Sequence, residues 1–208
     1  MKNTRQLILE NALILFNTEG LAKVTLRTIA NKTGISQGNL NYHFKKRGVI
    51  IETLYFQLVK NIDETISNSE SKINALEALL DISNRIMYEF FDYRFFLLDF
   101  VQIIRENKEV REHYSKLTKQ REQQFALFFN VLIEDEIMRK EILPNEYENL
   151  YKRLQILGDF WISSAETESH ALNKKVIPKY SELMNQTIFP YLTAKGQKMF
   201  VAIVPSSL

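Results

Sequence analysis

The chain has 208 residues, 45% of them hydrophobic, so it can bury a sizeable core as one domain or as a small module joined to a larger one. It has no cysteine, which excludes disulfides and thiolate zinc sites, and no apolar run near the roughly 18 residues of a membrane span. We therefore expect a cytoplasmic protein without a leader or membrane segment. The net charge of +2 is unevenly distributed: residues 1–47 carry eight Lys or Arg against two Glu, and the rest carries 19 basic against 23 acidic residues.

Helical periodicity runs through nearly the whole chain, because apolar residues recur three and four positions apart and only six Gly and four Pro occur. The first predicted helix covers residues 4–19 and ends at Gly20. A second, short helix starts at its cap Thr25 and ends at Gly34, and Ser36 caps a third. Two short helices joined by a Gly-containing turn and braced by a longer first helix predict a helix-turn-helix.

The third predicted helix, within residues 36–47, is more polar than folding alone requires. Leu40 and Phe44 form one narrow apolar stripe. Gly38 in the first turn costs about 1 kcal/mol relative to Ala. The other positions carry hydrogen-bond donors: Gln37, Asn39, Asn41, Tyr42 and His43. Donors on one face, followed by basic residues, favour a surface that lies against a polyanion.

The remaining chain is also predicted to be helical, so the fold class is all-α. The predicted helices cover residues 49–68, 72–91, 94–106, 109–140, 144–167 and 176–192, and the tail 193–208 is left open as an ordered apolar segment. We predict two domains. Residues 1–47 form a three-helix helix-turn-helix head, and residues 48–208 form a larger helical ligand-binding and dimerisation bundle, the body.

The first three predicted helices share a specific order and spacing of residues. These are Ile8–Phe16, Glu19, Gly20, Thr25, Ile29, Ala30, Gly34, Ile35, Ser36, Gly38, Leu40 and Tyr42–Lys45. This pattern resembles the TetR family of bacterial transcriptional regulators over roughly residues 4–60. Beyond residue 60 the chain is similar to that family only in general architecture.

The resemblance implies eleven residues that contact double-stranded DNA. Those that would face bases in the major groove are Gln37, Gly38 and Asn41. Those that would follow the phosphates are Thr25, Arg27, Ser36, Asn39, Tyr42, His43, Lys46 and Arg47, with Arg27 also in reach of a base. Gln and Asn amides can pair with adenine, for about 1–3 kcal/mol of discrimination per good pair. Two positions depart from the family: Asn41 replaces the usual Tyr, and Gly48 replaces an acidic residue.

The body is rich in aromatic residues, with eleven of the chain's 24 between Tyr88 and Phe129. In the family that it resembles, this bundle encloses a small-molecule pocket. The wall candidates are Phe91, Phe95, Phe100, Phe125, Phe129 and Trp161, with Asn84, Gln102 and Gln124 as polar contacts. A packed core without a ligand is the open alternative.

The resemblance further implies a homodimer formed by two late helices within residues 144–192. The apolar candidates for this face are Leu150, Leu154, Leu157, Phe160, Trp161, Ile177, Leu183, Met184, Ile188 and Tyr191. An intramolecular core competes with this interpretation for about half of them.

No residue pattern indicates an enzyme, a metal site or a cofactor. His43, His113 and His170 have no metal-ligand spacing, and no nucleophile elbow or phosphate-binding glycine loop occurs. The sequence therefore predicts a homodimeric repressor that a small hydrophobic or aromatic effector releases from a palindromic operator. The alternative is a DNA-binding dimer without an effector, acting through a protein partner or as an architectural factor.

Overall fold

A computed structural model of the chain describes residues 3–68, 74–168 and 172–204. In these ranges the regular structure is helical, apart from one isolated bridge between Met138 and Leu192. The α-helices are α1 (Thr4–Glu19), α2 (Leu26–Thr33), α3 (Gln37–His43), α4 (Arg47–Ser67), α5 (Ala75–Asp92), α6 (Arg94–Leu98), α7 (Phe100–Glu106), α8 (Lys108–Glu134), α9 (Glu146–Glu168), α10 (Ile177–Gln186) and α11 (Ala194–Ile203). Two 3₁₀ turns cover Lys174–Val176 and Phe189–Tyr191. The predicted all-α fold class is confirmed.

Local capping explains where the head helices begin and end. The Asn3 side chain accepts a hydrogen bond from the Arg5 backbone N–H at the start of α1. Thr25 and Thr28 form a reciprocal capping box at the start of α2. Gly34 ends α2 with a φ of +73°, the left-handed conformation that favours glycine. The predicted helix-turn-helix is thus present.

One hydrophobic core continues from the head into the body. Ile50 and Leu54 on α4 are buried in the same cluster as the inner faces of α1, α2 and α3. Phe16 on α1 packs against Phe95 on α6, with ring centroids 5.2 Å apart. Asn17 fixes the same contact, because its side chain donates to the Asp92 carbonyl and accepts from the Phe95 N–H. The division between residues 47 and 48 stays a prediction.

A second cluster lies at the far end of the body, where α11 packs against α5. Its most deeply buried members include Leu76, Phe129, Leu132 and Leu150. Gly196 on α11 lies so close to the Ile137 carbonyl that a Cβ at this position would overlap it. The apolar tail therefore forms a docked helix, although its sequence predicted only an ordered segment.

Three predicted helices end differently from expectation. The predicted helix 94–106 is two helices that meet at Asp99, whose carboxylate accepts from the Leu21 N–H. The predicted helix 109–140 ends at Glu134, because the chain turns through Glu136 with a φ of +57°. The last predicted helix ends at Gln186, and Pro190 lies in a 3₁₀ turn.

The start of the predicted helices 144–167 and 72–91 also differs. The first begins at Glu146, so that Pro144 lies in the turn before it. The second is observed from Ala75, and residues 72–73 lie outside the described residues, as do 1–2 of the predicted head and 205–208 of the predicted tail.

Candidate nucleic-acid interface and body cavity

The recognition surface depends on how α3 is anchored. Ser36 caps the helix, since its hydroxyl accepts from the Asn39 backbone N–H at 3.2 Å. Leu40 and Phe44 are buried to 0% and 1% exposure and fix one face on the head core. The opposite face of α3 is consequently turned outward.

The structure places ten of the eleven predicted DNA contacts in accessible positions on α2, α3 and the segment after α3. Tyr42 is 84% exposed and its ring packs edge-on against half-buried His43. The other exposed members are Thr25, Arg27, Ser36, Gln37, Gly38, Asn39, Asn41 and Lys46. The Thr25 backbone N–H donates to the Thr28 hydroxyl at 2.9 Å, so only the Thr25 hydroxyl remains to donate to a phosphate.

Gly38 has no structural need to be glycine. A Cβ at this position would meet only the Ser36 hydroxyl, at an ordinary 3.9 Å. Its absence leaves the outer face of the first turn of α3 flat. A flat surface here lets the helix backbone approach a base edge closely.

Arg47 is placed differently from the prediction of a phosphate contact. Its Nη1 donates to the carbonyls of Leu21 and Val24 at 2.6 and 3.0 Å, and the residue is half-buried. We therefore assign Arg47 to holding the connection between α1 and α2. The sequence could not show this, because 26 residues separate Arg47 from Leu21.

Arg5 is a basic residue of the head that is not among the eleven predicted DNA contacts. Its guanidinium lies 4.9 Å from the centroid of the Phe44 ring, directly after α3, and the residue is exposed. A cation at this position lies beside the predicted phosphate contacts of α3. The sequence shows only that Arg5 is one of the eight basic residues of the head, which does not distinguish it from the others.

The body contains a cavity of about 270 Å³ between α4, α5, α6, α8, α9 and α10. Its wall is predominantly aliphatic and aromatic, as in most small-molecule sites. Representative lining residues are Tyr55, Ile66, Leu79, Phe90, Phe96, Tyr114, Phe128, Tyr151, Asp159 and Ile188.

The nine predicted pocket residues fall into two that line this cavity and seven that do not. Phe125 and Gln124 line this cavity, but the other candidates do not. Buried elsewhere in the cores are Phe91, Phe95, Phe129 and Trp161. Half-buried Phe100 packs on the outside of the Tyr114 ring, exposed Gln102 donates to Glu106, and Asn84 accepts from Ser181.

Helical register explains why neighbouring aromatic residues differ in whether they line this cavity. Successive residues on a helix point about 100° apart, so of two adjacent aromatic residues one ring can face the cavity while the other is buried in the packed core. Phe90 and Phe96 line the cavity, whereas the adjacent Phe91 and Phe95 do not.

Polar groups cluster at the end of the cavity that is nearer the head. The Asp159 carboxylate accepts from the Tyr114 hydroxyl at 2.7 Å and from the Gln155 amide at 3.3 Å. Burial raises the pKa of Asp159, although both hydrogen bonds act in the opposite direction. Burial and the adjacent carboxylate raise the pKa of Tyr114, which therefore stays protonated and donating.

A second polar group, Arg121, lines the cavity further along α8. Its Nη2 forms an ion pair with Asp63 on α4, and its Nη1 donates to Gln124 at 2.7 Å. Arg121 is thus balanced by a neighbouring carboxylate and joins α8 to α4.

The predicted dimer face is only partly exposed. Leu150, Trp161, Ile177 and Ile188 are buried within the chain, as the competing interpretation required. Phe160 on α9 and Leu183 on α10 remain 43% and 47% exposed. Ile156, which was not predicted, is one helical turn before Phe160 on α9 and is 52% exposed. These three are the most exposed large apolar side chains of α9 and α10, and we call them the α9–α10 face.

Comparison with known proteins gives matches over nearly the whole chain. A sequence profile described as "bacterial transcriptional repressor" (TetR) matches residues 57–200, and one described as "bacterial regulatory proteins, tetR family" matches residues 8–53. No helix in the described ranges is both long and apolar enough to cross a membrane.

Individual relatives are distant. An uncharacterised helix-turn-helix regulator of Bacillus subtilis, YerO, is 26% identical over 142 residues, which cover 64% of this chain and 47% of YerO, so the chain spans about half the length of that relative. A TetR-family regulator of Marinobacter aquaeolei has the same fold, with a TM-score of 0.81 and 22% identity over 97% of each chain. The ketosteroid regulator KstR2 of Mycobacterium tuberculosis has a TM-score of 0.72 and 17% identity over 93% of this chain and 97% of KstR2.

Proposed function

The chain belongs to the tetR family of bacterial regulatory proteins, and from this premise we propose that it is a homodimeric repressor whose operator binding is controlled by a small molecule in the body cavity. The observation that carries the proposal is the outward face of α3. It presents Gln37, Asn41 and Tyr42 on a helix whose other face is fixed by Leu40 and Phe44.

The proposed division of labour on α3 follows from side-chain chemistry. Gln37 and Asn41 carry amides that can read base edges, and Gly38 allows close approach. Tyr42, His43 and Lys46 would contact phosphates, which fix position without reading sequence. Arg5 adds a further phosphate contact to the set.

Effector control would act through α4. This helix carries Ile50 and Leu54 in the head core and Leu58, Val59 and Ile62 in the cavity wall. A ligand that shifts α4 would therefore change the separation of two heads that must fit successive major grooves, about 34 Å apart. A coupling of about 1–3 kcal/mol would change operator affinity roughly 5- to 150-fold.

Selection of genomic fragments on the purified protein, followed by footprinting, tests the DNA-binding part of the proposal. We expect an enriched palindrome with protection on both half-sites. Gln37→Ala should relax preference at one base pair of each half-site, whereas Tyr42→Phe should weaken binding to all sequences. Failure to enrich any site would refute the proposal.

A further inference from the structure

At the end nearer the head, the cavity wall contains a carboxylate that makes no ion pair within the described residues. Asp159 lines the cavity, and its hydrogen-bond donors, Tyr114 and Gln155, are both neutral. Among the described residues no Lys, Arg or His nitrogen forms an ion pair with Asp159. Lys152 on the same helix is exposed, and its Nζ donates to Gln155 Oε1 at 2.9 Å. Its charge lowers the pKa of Asp159 less than the two neutral donors do, and it forms no ion pair with the carboxylate.

The cavity's cation is already balanced. Arg121 pairs with Asp63 and donates to Gln124, so it does not offset Asp159. An anionic ligand would have to displace Asp63 from Arg121 and would meet the Asp159 carboxylate in the same cavity. A positively charged group gains an attractive partner without breaking an existing ion pair.

Aromatic rings share the cavity end that holds Asp159. Phe90, Phe96 and Tyr114 all line the cavity, and the Phe90 ring reaches within 3.8 Å of the position of a Cβ on Gly158, next to Asp159. Ring faces attract cations, and the attraction is strongest where water is excluded. The charge and the rings therefore favour the same kind of group.

The rest of the cavity suits an alkyl chain. On α4 its wall extends from Tyr55 to Ile66, twelve residues that span about 16 Å of helix. Ile66, Leu79 and Ile188 line its far part.

We propose that the body cavity binds a lipophilic cation, with an amine or quaternary ammonium group beside Asp159 and an apolar chain along α4 and α5. The proposal names the chemical class of the effector and rests on the proposed function only for the consequence of binding. Binding itself is measured on the free protein, so the two can fail separately.

The test is calorimetric titration of the purified protein with three probes of equal chain length, the two ionic probes below their micelle concentrations and the alcohol below its solubility limit. The probes are decyltrimethylammonium, 1-decanol and decanoate. We expect the ammonium to bind at least tenfold more tightly than 1-decanol, and decanoate to bind most weakly. Equal affinity for the ammonium and 1-decanol would overturn the proposal.

Asp159→Asn tests the residue and keeps the shape of the side chain. We expect it to remove the preference for the ammonium while 1-decanol binds as before, which also shows that the variant is folded. Glu166→Gln, which removes an exposed carboxylate from the same helix, should leave all three affinities unchanged. Tyr114→Phe keeps the Asp159 charge and should keep the preference for the cation. An undiminished ammonium preference in Asp159→Asn would contradict the assignment.

Operator release separates this proposal from the proposed function. If the ammonium binds the free protein but leaves operator affinity unchanged, the ligand class stands and the effector function fails. If 1-decanol or decanoate binds more tightly and releases the operator, the effector function stands and the ligand class fails.

Discussion

Gly38 is a residue at which stability and DNA binding should move in opposite directions. Because a Cβ fits there without a close contact, Gly38→Ala should stabilise the head by up to about 1 kcal/mol through helix propensity. The same methyl group would separate α3 from base edges and weaken operator binding. Urea unfolding and fluorescence anisotropy with operator DNA measure the two effects.

Gly48→Ala provides the control for Gly38→Ala. Gly48 also lies in the first turn of a helix, with no atom within 4 Å of the position of a Cβ, but it is outside α3. We expect it to stabilise the protein without the loss of operator affinity. Equal operator affinity in Gly38→Ala and the wild type would show that α3 does not approach DNA at this point.

Arg47 and Lys46 are adjacent basic residues with different expected roles. Arg47→Ala removes the donor that the Leu21 and Val24 carbonyls share, and Leu21 then keeps only the long 3.4 Å bond from the Val24 N–H. The loss should cost about 1–3 kcal/mol of stability. Exposed Lys46→Ala should keep stability and lower the salt dependence of operator binding by about one ion. Urea denaturation measures the effect on stability, and binding titrations at several salt concentrations measure the effect on phosphate contacts. If Arg47→Ala were as stable as the wild type, the original prediction of a phosphate contact for Arg47 would be favoured.

These residues show what the sequence could and could not predict at the finest scale. The accessibility of Gln37, Asn41 and Tyr42 followed from the spacing of Leu40 and Phe44, because a helix with one narrow apolar stripe must expose the rest. The role of Arg47 depends on a tertiary contact with a turn, which no local pattern encodes.

At the scale of elements, the segment between α8 and α9 is held by a buried carboxylate. Glu146 accepts from Arg139 through both oxygens, at 2.7 and 2.8 Å, and from the Ile142 N–H. These bonds lower the pKa of Glu146 from 4.5 to about 2. The ionised form therefore stabilises the fold at any pH above about 4.5, and this contribution is lost as the pH falls from 4.5 towards 2.

Glu146→Gln should accordingly lose stability at neutral pH and show a flatter decline in acid than the wild type. Urea midpoints at pH 7, 4.5 and 3.5 measure the difference between the two proteins. Exposed Glu148→Gln, in the same helical turn, should decline as the wild type does. Parallel acid profiles for Glu146→Gln and the wild type would remove Glu146 from this role.

Element boundaries were predictable where a local signal exists and not elsewhere. Gly20, Gly34 and the Thr25 cap mark the head helices in the sequence itself. The break at Asp99 and the docking of α11 depend on contacts with Leu21 and Ile137, which are distant in sequence. On α5 and α6 the predicted wall residues, Phe91 and Phe95, are each adjacent to the residue that lines the cavity, Phe90 or Phe96. A run of adjacent aromatic residues does not reveal which ring faces the cavity.

At the scale of the whole molecule, the head and the body share one hydrophobic core, which no local sequence pattern predicts. Family resemblance reached only residue 60, whereas Phe16 and Phe95 pack the head directly on the body. We therefore expect that a shift in the body can reach the head through the Phe16–Phe95 contact as well as through α4.

The proposed dimer depends on the α9–α10 face. Leu183→Asp should convert the proposed dimer to a monomer, because it places a charge in the middle of an apolar face that is used twice across a two-fold axis. A monomer can occupy only one half-site at a time, so operator affinity should fall by about 100-fold or more. Sedimentation velocity measures the first effect and anisotropy with full and half operators the second. Leu127 is 68% exposed on α8, outside the α9–α10 face, so Leu127→Asp introduces the same charge elsewhere and should stay dimeric. A dimeric Leu183→Asp would move the interface away from the α9–α10 face.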